Sequence, residues 1–381
     1  MDEREFDWDP RDESVLRNQI AAYDGIRGLC PVARSAWNWT VFRHEDTVRI
    51  LDDHETFSNV VSAHLSVPNG MDPPEHTPFR KINERYFTPD RMATFEPTCR
   101  AISSELLAAL PRGEVEFITG LAEDFANNIQ CSFMGWPNAL RAPLRLWTQK
   151  NHDATRAMDR TAMSAVALEF DGYIREQLRV RREAGVDAPD DNTTRLLAET
   201  VDGRAITDEE IVSMVRNWTV GELGTIAASV GIIVHYLAAH PELQQQLREH
   251  NIPIEPATDE ILRMHAPLIA NRRRTTRPVT IGGRVIPAGE RVMVLWASAN
   301  RDEKIFEDPD EFRLDRAETA NLLYGRGIHA CPGAPLARLE LRILLEELLS
   351  ATTAIETVPG KDPVHAAYPG SGYTRLPIVI R

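Results

Sequence analysis

The stretch YGRGIHACPGAPL, residues 324–336, constrains this chain more than any other. Cys331 sits among Gly325, Gly327 and Gly333, with His329 two residues before it and Pro332 directly after. Beyond Pro332 the sequence APLARLELRILLEELL is apolar at helical spacing. That order predicts a tight loop followed by a helix, with Pro332 or Gly333 at its start and the thiol just before the N-terminus. Free backbone N–H groups and the positive end of the helix dipole favour a thiolate there. The glycines let the backbone pass close to a flat, bulky partner with no Cβ in the way.

A single thiolate in such a loop has few uses. Structural zinc needs further ligands at short spacing, and the chain has no CxxC pair. A nucleophile partnered by His329 would have poor geometry across one intervening residue. One axial bond to a haem iron is a third use, because the macrocycle supplies four ligands itself. An inert buried cysteine is the common alternative. The residues alone leave these open. The longer pattern, aromatic-Gly-x-Gly-x-His-x-Cys-x-Gly-x-x-Leu-Ala ending at Leu336 and Ala337, resembles the haem-ligand loop of cytochrome P450 enzymes, with eight fixed positions in fourteen. The resemblance implies haem b as cofactor and Cys331 as the metal ligand. Tyr324 takes the place of the usual phenylalanine, and Gly333 lines the loop.

Composition sets the outer bounds. With 43% apolar and 26% charged residues among 381, a large core is available. Four scattered cysteines suit a reducing compartment. No signal peptide or uninterrupted apolar span is visible, so the expectation is a soluble cytoplasmic protein with no membrane contact. A net charge of −14 argues against broad nucleic-acid binding.

Along the chain, TVFRHEDTVRILDDHETFSN (residues 40–59) reads as a short strand pair leading into a helix near Glu45–Asp53, and 60–70 as an apolar loop. Helical patterns run through 90–135, stop at Gly135-Trp136-Pro137 and resume through 140–185. A long helix is expected from Asp208, with Thr207 or Asp208 as N-cap, crossing the core. VTIGGRVIPAGERVMVLW reads as a hairpin turning at Gly282-Gly283. Helix dominates. The expected fold is mainly α with small β-sheets, the cytochrome P450 fold, as one haem-thiolate domain spanning 1–381.

Further segments match the same family in order. Glu260 and Arg263 stand where it keeps a buried ion pair, and Phe306, Pro309 and Phe312 match its meander. Glu311 occupies a position where arginine is common, so Arg313 or Arg316 is expected to complete the ion-pair network. Haem propionates need hydrogen-bonding or positive partners. The resemblance places these at His76 and Arg80, at Arg273 and at His329. On the central helix the family reads small-Gly-x-acid-Thr, whereas this chain has Gly221-Glu222-Leu223-Gly224-Thr225. Gly224 stands in the acid's place. Thr225 is expected to keep a proton-delivery role, with Glu222 or ordered water replacing the acid. Gly221 and Gly224 imply a kink or room for a bound molecule.

The implied activity is dioxygen activation with electrons from NAD(P)H, delivered by a ferredoxin or a flavin reductase domain. Arg326, Arg338, Arg342, Arg80, Lys81 and Arg85 form a candidate docking patch for an acidic donor. Several segments look most like haem domains of bacterial enzymes fused to a reductase. The chain ends at Arg381 without one, which reads as a stand-alone relative or an excised domain. Pocket walls are expected from 60–70, Val220–Thr225, Pro267–Ala270 and Gly372–Thr374, mostly small or aliphatic. They suit a small-to-medium apolar substrate. The rival readings are a non-catalytic haem-thiolate protein and a haem-free helical binding protein.

Overall fold

A computed structural model describes residues 7–381. The acidic residues 1–6 lie outside the described residues. The chain is 55% helical with small sheets, as expected. Two N-terminal helices, Glu13–Arg17 and Gln19–Leu29, were not foreseen. Their signals are local: Asp12 and Asn18 each cap a helix by accepting from a backbone N–H.

A five-stranded sheet runs in the order Val32–Arg34, Trp39–Val41, Arg291–Leu295, Ala270–Thr275, Phe57–Ser58. Its hairpin neighbour pairs Val279–Ile281 with Arg284–Ile286 through Gly282 and Gly283, both at positive φ. A three-stranded sheet joins Ile355–Thr357, Pro377–Ile380 and Gly113–Glu116. The strand at 113–116 interrupts the helical pattern expected across 90–135, which divides into Pro89–Ala109 and Glu123–Met134 with a π turn between.

The core helix, Asp208–Ala239, starts at Thr207 with a capping box. The Thr207 hydroxyl accepts from Glu210 N–H, and the Glu210 carboxylate accepts from Thr207 N–H. Its second half is buried on nearly every side, from Ile226 to Leu237. The helix is long and apolar enough to cross a membrane by composition, yet 56% of its most apolar window is buried within the protein. It packs on Glu123–Met134, Arg160–Ala184, Ile254–His265 and the helix after Cys331, Ala334–Ala351. The 60–70 loop is tied to it: Val67 N–H donates to Ser213 Oγ at 2.8 Å, and Asn217 Nδ2 to Val67 O at 2.9 Å. On its other flank the turn at Gly372 lies so close that an added Cβ would meet Ala228 O at 3.2 Å. Between these two contacts Val220, Gly221, Gly224 and Thr225 stay at least partly accessible, while Glu222 and Leu223 are buried.

Candidate active site

Cys331 stands between a short turn, Gly327–His329, and the helix Ala334–Ala351. Its N–H donates to Tyr324 O at 2.7 Å, which closes the loop. Gly327 permits this closure: at φ +72, an added Cβ would lie 2.5 Å from Leu51 O. The Cys331 side chain is accessible, yet burial by surrounding protein pushes its thiol up. A side chain that is accessible and desolvated together lines an internal recess, not the outer surface. Backbone N–H groups of Gly333 and Ala334, with the charge of Arg80, pull the thiol back toward ionisation. Burial outweighs the helix-terminus effect expected from sequence. A cation bonded to sulfur would reverse that balance.

The same recess gathers basic groups, of which His76, His329 and Arg273 have no paired acid among the described residues. His76 and His329 lie with ring centroids 4.4 Å apart. His329 Nε2 donates to Met71 O at 2.9 Å, and burial beside His76 and Arg273 pushes its pKa down to about 3. His76 Nε2 is buried with no hydrogen-bond partner. Arg273 is pushed down to about 10 by burial. Its guanidinium bonds only the Arg272 carbonyl among the described residues. Strand alternation resolves the choice among three consecutive arginines: Arg273 is buried, whereas Arg272 and Arg274 are exposed. Asp72, the nearest carboxylate, already accepts from Ser58 and Asn59. Arg80 reaches the loop itself, donating to Ala330 O at 2.5 Å and pairing with Glu84 at 2.7 Å. Buried donors gathered without an acid call for an anionic ligand.

Behind the loop, Glu260 and Arg263 form a buried pair at 2.7 Å. The third member is Arg316, whose Nε lies 2.8 Å from Glu260 Oε1, while Arg313 contributes only its backbone N–H at 3.2 Å. Arg263 also donates to Asn300 O and Pro309 O and lies over the Phe306 ring at 4.8 Å. Tyr324 finds a partner for its hydroxyl in Asp259 at 3.3 Å, with Arg338 over its ring.

On the core helix, Gly221 has no atom within 4 Å of an added Cβ, and Gly224 meets only His152 Nε2, at 3.9 Å. These glycines make room. The helix continues through both positions. Thr225 is partly accessible on this open face, and its hydroxyl donates to Gly221 O. Glu222 is buried and faces Glu340 of the Ala334–Ala351 helix. Both carboxyls are pushed up by burial, Glu222 to about 7 and Glu340 further, so the pair holds a proton between them. Among the described residues no N–H or O–H other than that of the Glu222 carboxyl reaches either Glu340 oxygen. Two residues apart on a helix is a rotation of about 200°, so Glu222 and Gly224 face opposite ways.

The arginines expected to form a docking patch are mostly engaged. Arg326 pairs with Asp52, Arg338 with Asp259, Arg342 with Glu96 and Glu346, and Arg85 with Glu199. Carboxylates distant in sequence neutralise much of the charge that the arginines alone suggest. Sequence reasoning missed His152 and the pairing role of Glu340. A charged residue at a buried position of an apolar-periodic helix is the signal that marks Glu340. His152 carries no such signal.

The residues present fit haem b: the Cys331 thiolate would bind its iron, and His76, Arg80, Arg273 and His329 would supply donors to its carboxylates. The class so defined is the haem-thiolate proteins. The family model for Cytochrome P450 matches residues 254–366. The chain is 32% identical to Cyclomarin C epoxidase CymV of Salinispora arenicola, over 84% of each chain. It is also 32% identical to Erythromycin C-12 hydroxylase of Saccharopolyspora erythraea, over 89% of this chain and 87% of that one. The ligand-free structure of Cytochrome P450 TbtJ1 superposes with a TM-score of 0.86 at 31% identity, covering 96% of this chain and 98% of that one. The chain belongs to the cytochrome P450 family and is a haem-dependent monooxygenase.

Proposed function

We propose that this monooxygenase draws electrons from NAD(P)H through a ferredoxin, a flavin reductase domain or both, and inserts one atom of dioxygen into a small-to-medium apolar compound. Hydroxylation, dealkylation and epoxidation are the reactions in view, in one cytoplasmic domain. The bound haem supplies the redox chemistry. Cys331 anchors it and the Gly333 and Ala334 N–H groups moderate the sulfur's charge. His76, Arg80, Arg273 and His329 hold its carboxylates, and Tyr324 packs behind the loop. Thr225 handles protons on the open helix face, with Glu222 as a buried acid on the inner side.

The observation that carries this reading is the group of desolvated basic side chains, His76, His329 and Arg273, left without an acid beside the Cys331 recess. The apolar substrate class is supported by accessible large side chains in three of the expected walls: Leu65, Val220 and Leu268. The test is a spin-state screen of the haem-loaded protein against a compound library, followed by reconstitution with ferredoxin and reductase. Apolar hits that stimulate NAD(P)H consumption and yield oxygenated product are expected. Hits confined to charged compounds, or NAD(P)H consumption indifferent to every hit, would contradict it.

A further inference from the structure

The place vacated on the core helix is filled from another helix. His152, on Arg141–Ala157, brings Nε2 to 3.9 Å from where a Gly224 Cβ would stand, and no other described side chain from outside the core helix comes within 4 Å of that point. An acidic side chain at 224 would compete with this ring for the same space. His152 lies on the side of the core helix opposite Glu222, and Thr225 lies between them in rotation. Among the described residues no hydrogen-bond donor or acceptor engages the ring. His152 is accessible, yet desolvation pushes its pKa below the ordinary histidine value, the same combination that marks Cys331 as lining an internal space. The charges that act on it belong to its own helix. Asp153 raises the value and Arg156 lowers it, and these two pair at 2.6 Å. Of the carboxylates on neighbouring helices, Glu169 is held by Lys150 at 2.9 Å and Asp124 by Arg145 at 2.9 Å.

We propose that His152 is the proton-relay residue of the distal pocket, passing protons from water to the Thr225 side in the place left by Gly224. The inference rests on the proposed monooxygenase reading and on the proton role of Thr225. In each transfer one ring nitrogen takes a proton from water and the other releases one toward Thr225, directly or through one further water. The ring returns to neutral as the opposite tautomer and no electrons move. A neutral imidazole that both donates and accepts suits this, whereas a fixed cation would not. Reorientation of the ring or exchange with water resets the tautomer.

The test uses the haem-loaded protein in two arms. The first is independent of turnover. Histidine ¹⁵N NMR of the reduced, carbon-monoxide-treated protein, with the His152 signals assigned by their loss in His152→Gln, follows tautomer and pKa. Gly224→Asp is expected to raise the His152 pKa by about one unit. A His152 signal untouched by Gly224→Asp would overturn the contact itself. The second arm measures product formed per NAD(P)H with any substrate identified by the spin-state screen. His152→Gln is expected to lower this coupling roughly tenfold and to raise peroxide release. Its substrate Kd should stay within about twofold. Gly224→Asp in the same background should restore much of the coupling.

Unchanged coupling in His152→Gln while Thr225→Ala uncouples would overturn this inference alone. So would a loss that follows weakened substrate binding and is not rescued by Gly224→Asp, which marks a wall contact, or a loss confined to Glu222→Gln. Full coupling in Thr225→Ala would instead remove the reading on which the inference stands.

Discussion

The carboxyl of Glu340, nine residues after Cys331, faces the carboxyl of Glu222 on the core helix, and no cation among the described residues joins them. Two acids in such a place persist only if they hold a proton. Their folded-state pKa values lie above the unfolded value near 4.5, so the folded protein binds more protons than the unfolded chain at intermediate pH. The stabilising effect of protonation is complete below pH 4.5 and is lost as pH rises through about 7, where Glu222 titrates. Raising the pH from 5.5 to 8 should therefore lower stability by about 2 kcal/mol through Glu222 alone. Glu340→Gln should flatten this slope. Melting temperature against pH for the two proteins checks it, and parallel slopes would contradict it.

The Glu260–Arg263–Arg316 triad gives an ordered pair of expectations. Glu260→Ala strands Arg263, which is fully buried, and should cost about 3–5 kcal/mol. Arg316→Ala leaves the 2.7 Å inner pair intact and should cost roughly half as much or less. Denaturant unfolding of both variants measures the order. Equal losses would show that Arg316 is as central as Glu260.

Arg273 can be separated from its neighbours by haem retention. Arg273→Gln should speed haem transfer to an acceptor apoprotein by tenfold or more, on the basis of about 1.5–3 kcal/mol for a charged hydrogen bond. Arg272→Gln and Arg274→Gln, on the opposite strand face, should match the parent protein. Absorbance stopped-flow of haem loss distinguishes the three.

Gly327 and Gly333 should differ although both lie in the loop. Gly327→Ala sets a methyl 2.5 Å from Leu51 O at φ +72 and should cost about 1–3 kcal/mol or more. At Gly333 the nearest atoms, Phe87 Cε1 at 3.8 Å and Cys331 Sγ at 3.9 Å, leave ordinary contact distances. Gly333→Ala should fold nearly as well and perturb the haem spectrum instead. Thermal melts and optical spectra of the two variants test the contrast.

How far the sequence reached follows from what each feature depends on. The Cys331 loop was legible because its glycines, histidine and cysteine are local and ordered. The choice of Arg273 among Arg272–Arg274 needed only strand alternation once a strand was known. The direction of Glu222 was not legible, because the core helix is apolar on so many sides that no stripe fixes its rotation. His152 and Gly224 are 72 positions apart on separate helices, and no pattern in either segment points to the other. The ion-pair partners of the arginine patch were hidden for the same reason: the Arg326–Asp52 pair spans 274 residues.

The proposal that Cys331 binds the haem iron is tested most directly by the Soret band of the reduced, carbon-monoxide-treated protein, measured for the parent chain and for Cys331→His. The parent should show the red-shifted band of thiolate-ligated haem, and the variant should move to the shorter wavelength of imidazole-ligated haem. A Soret band at the same position in both would mean that the iron is held by some other residue.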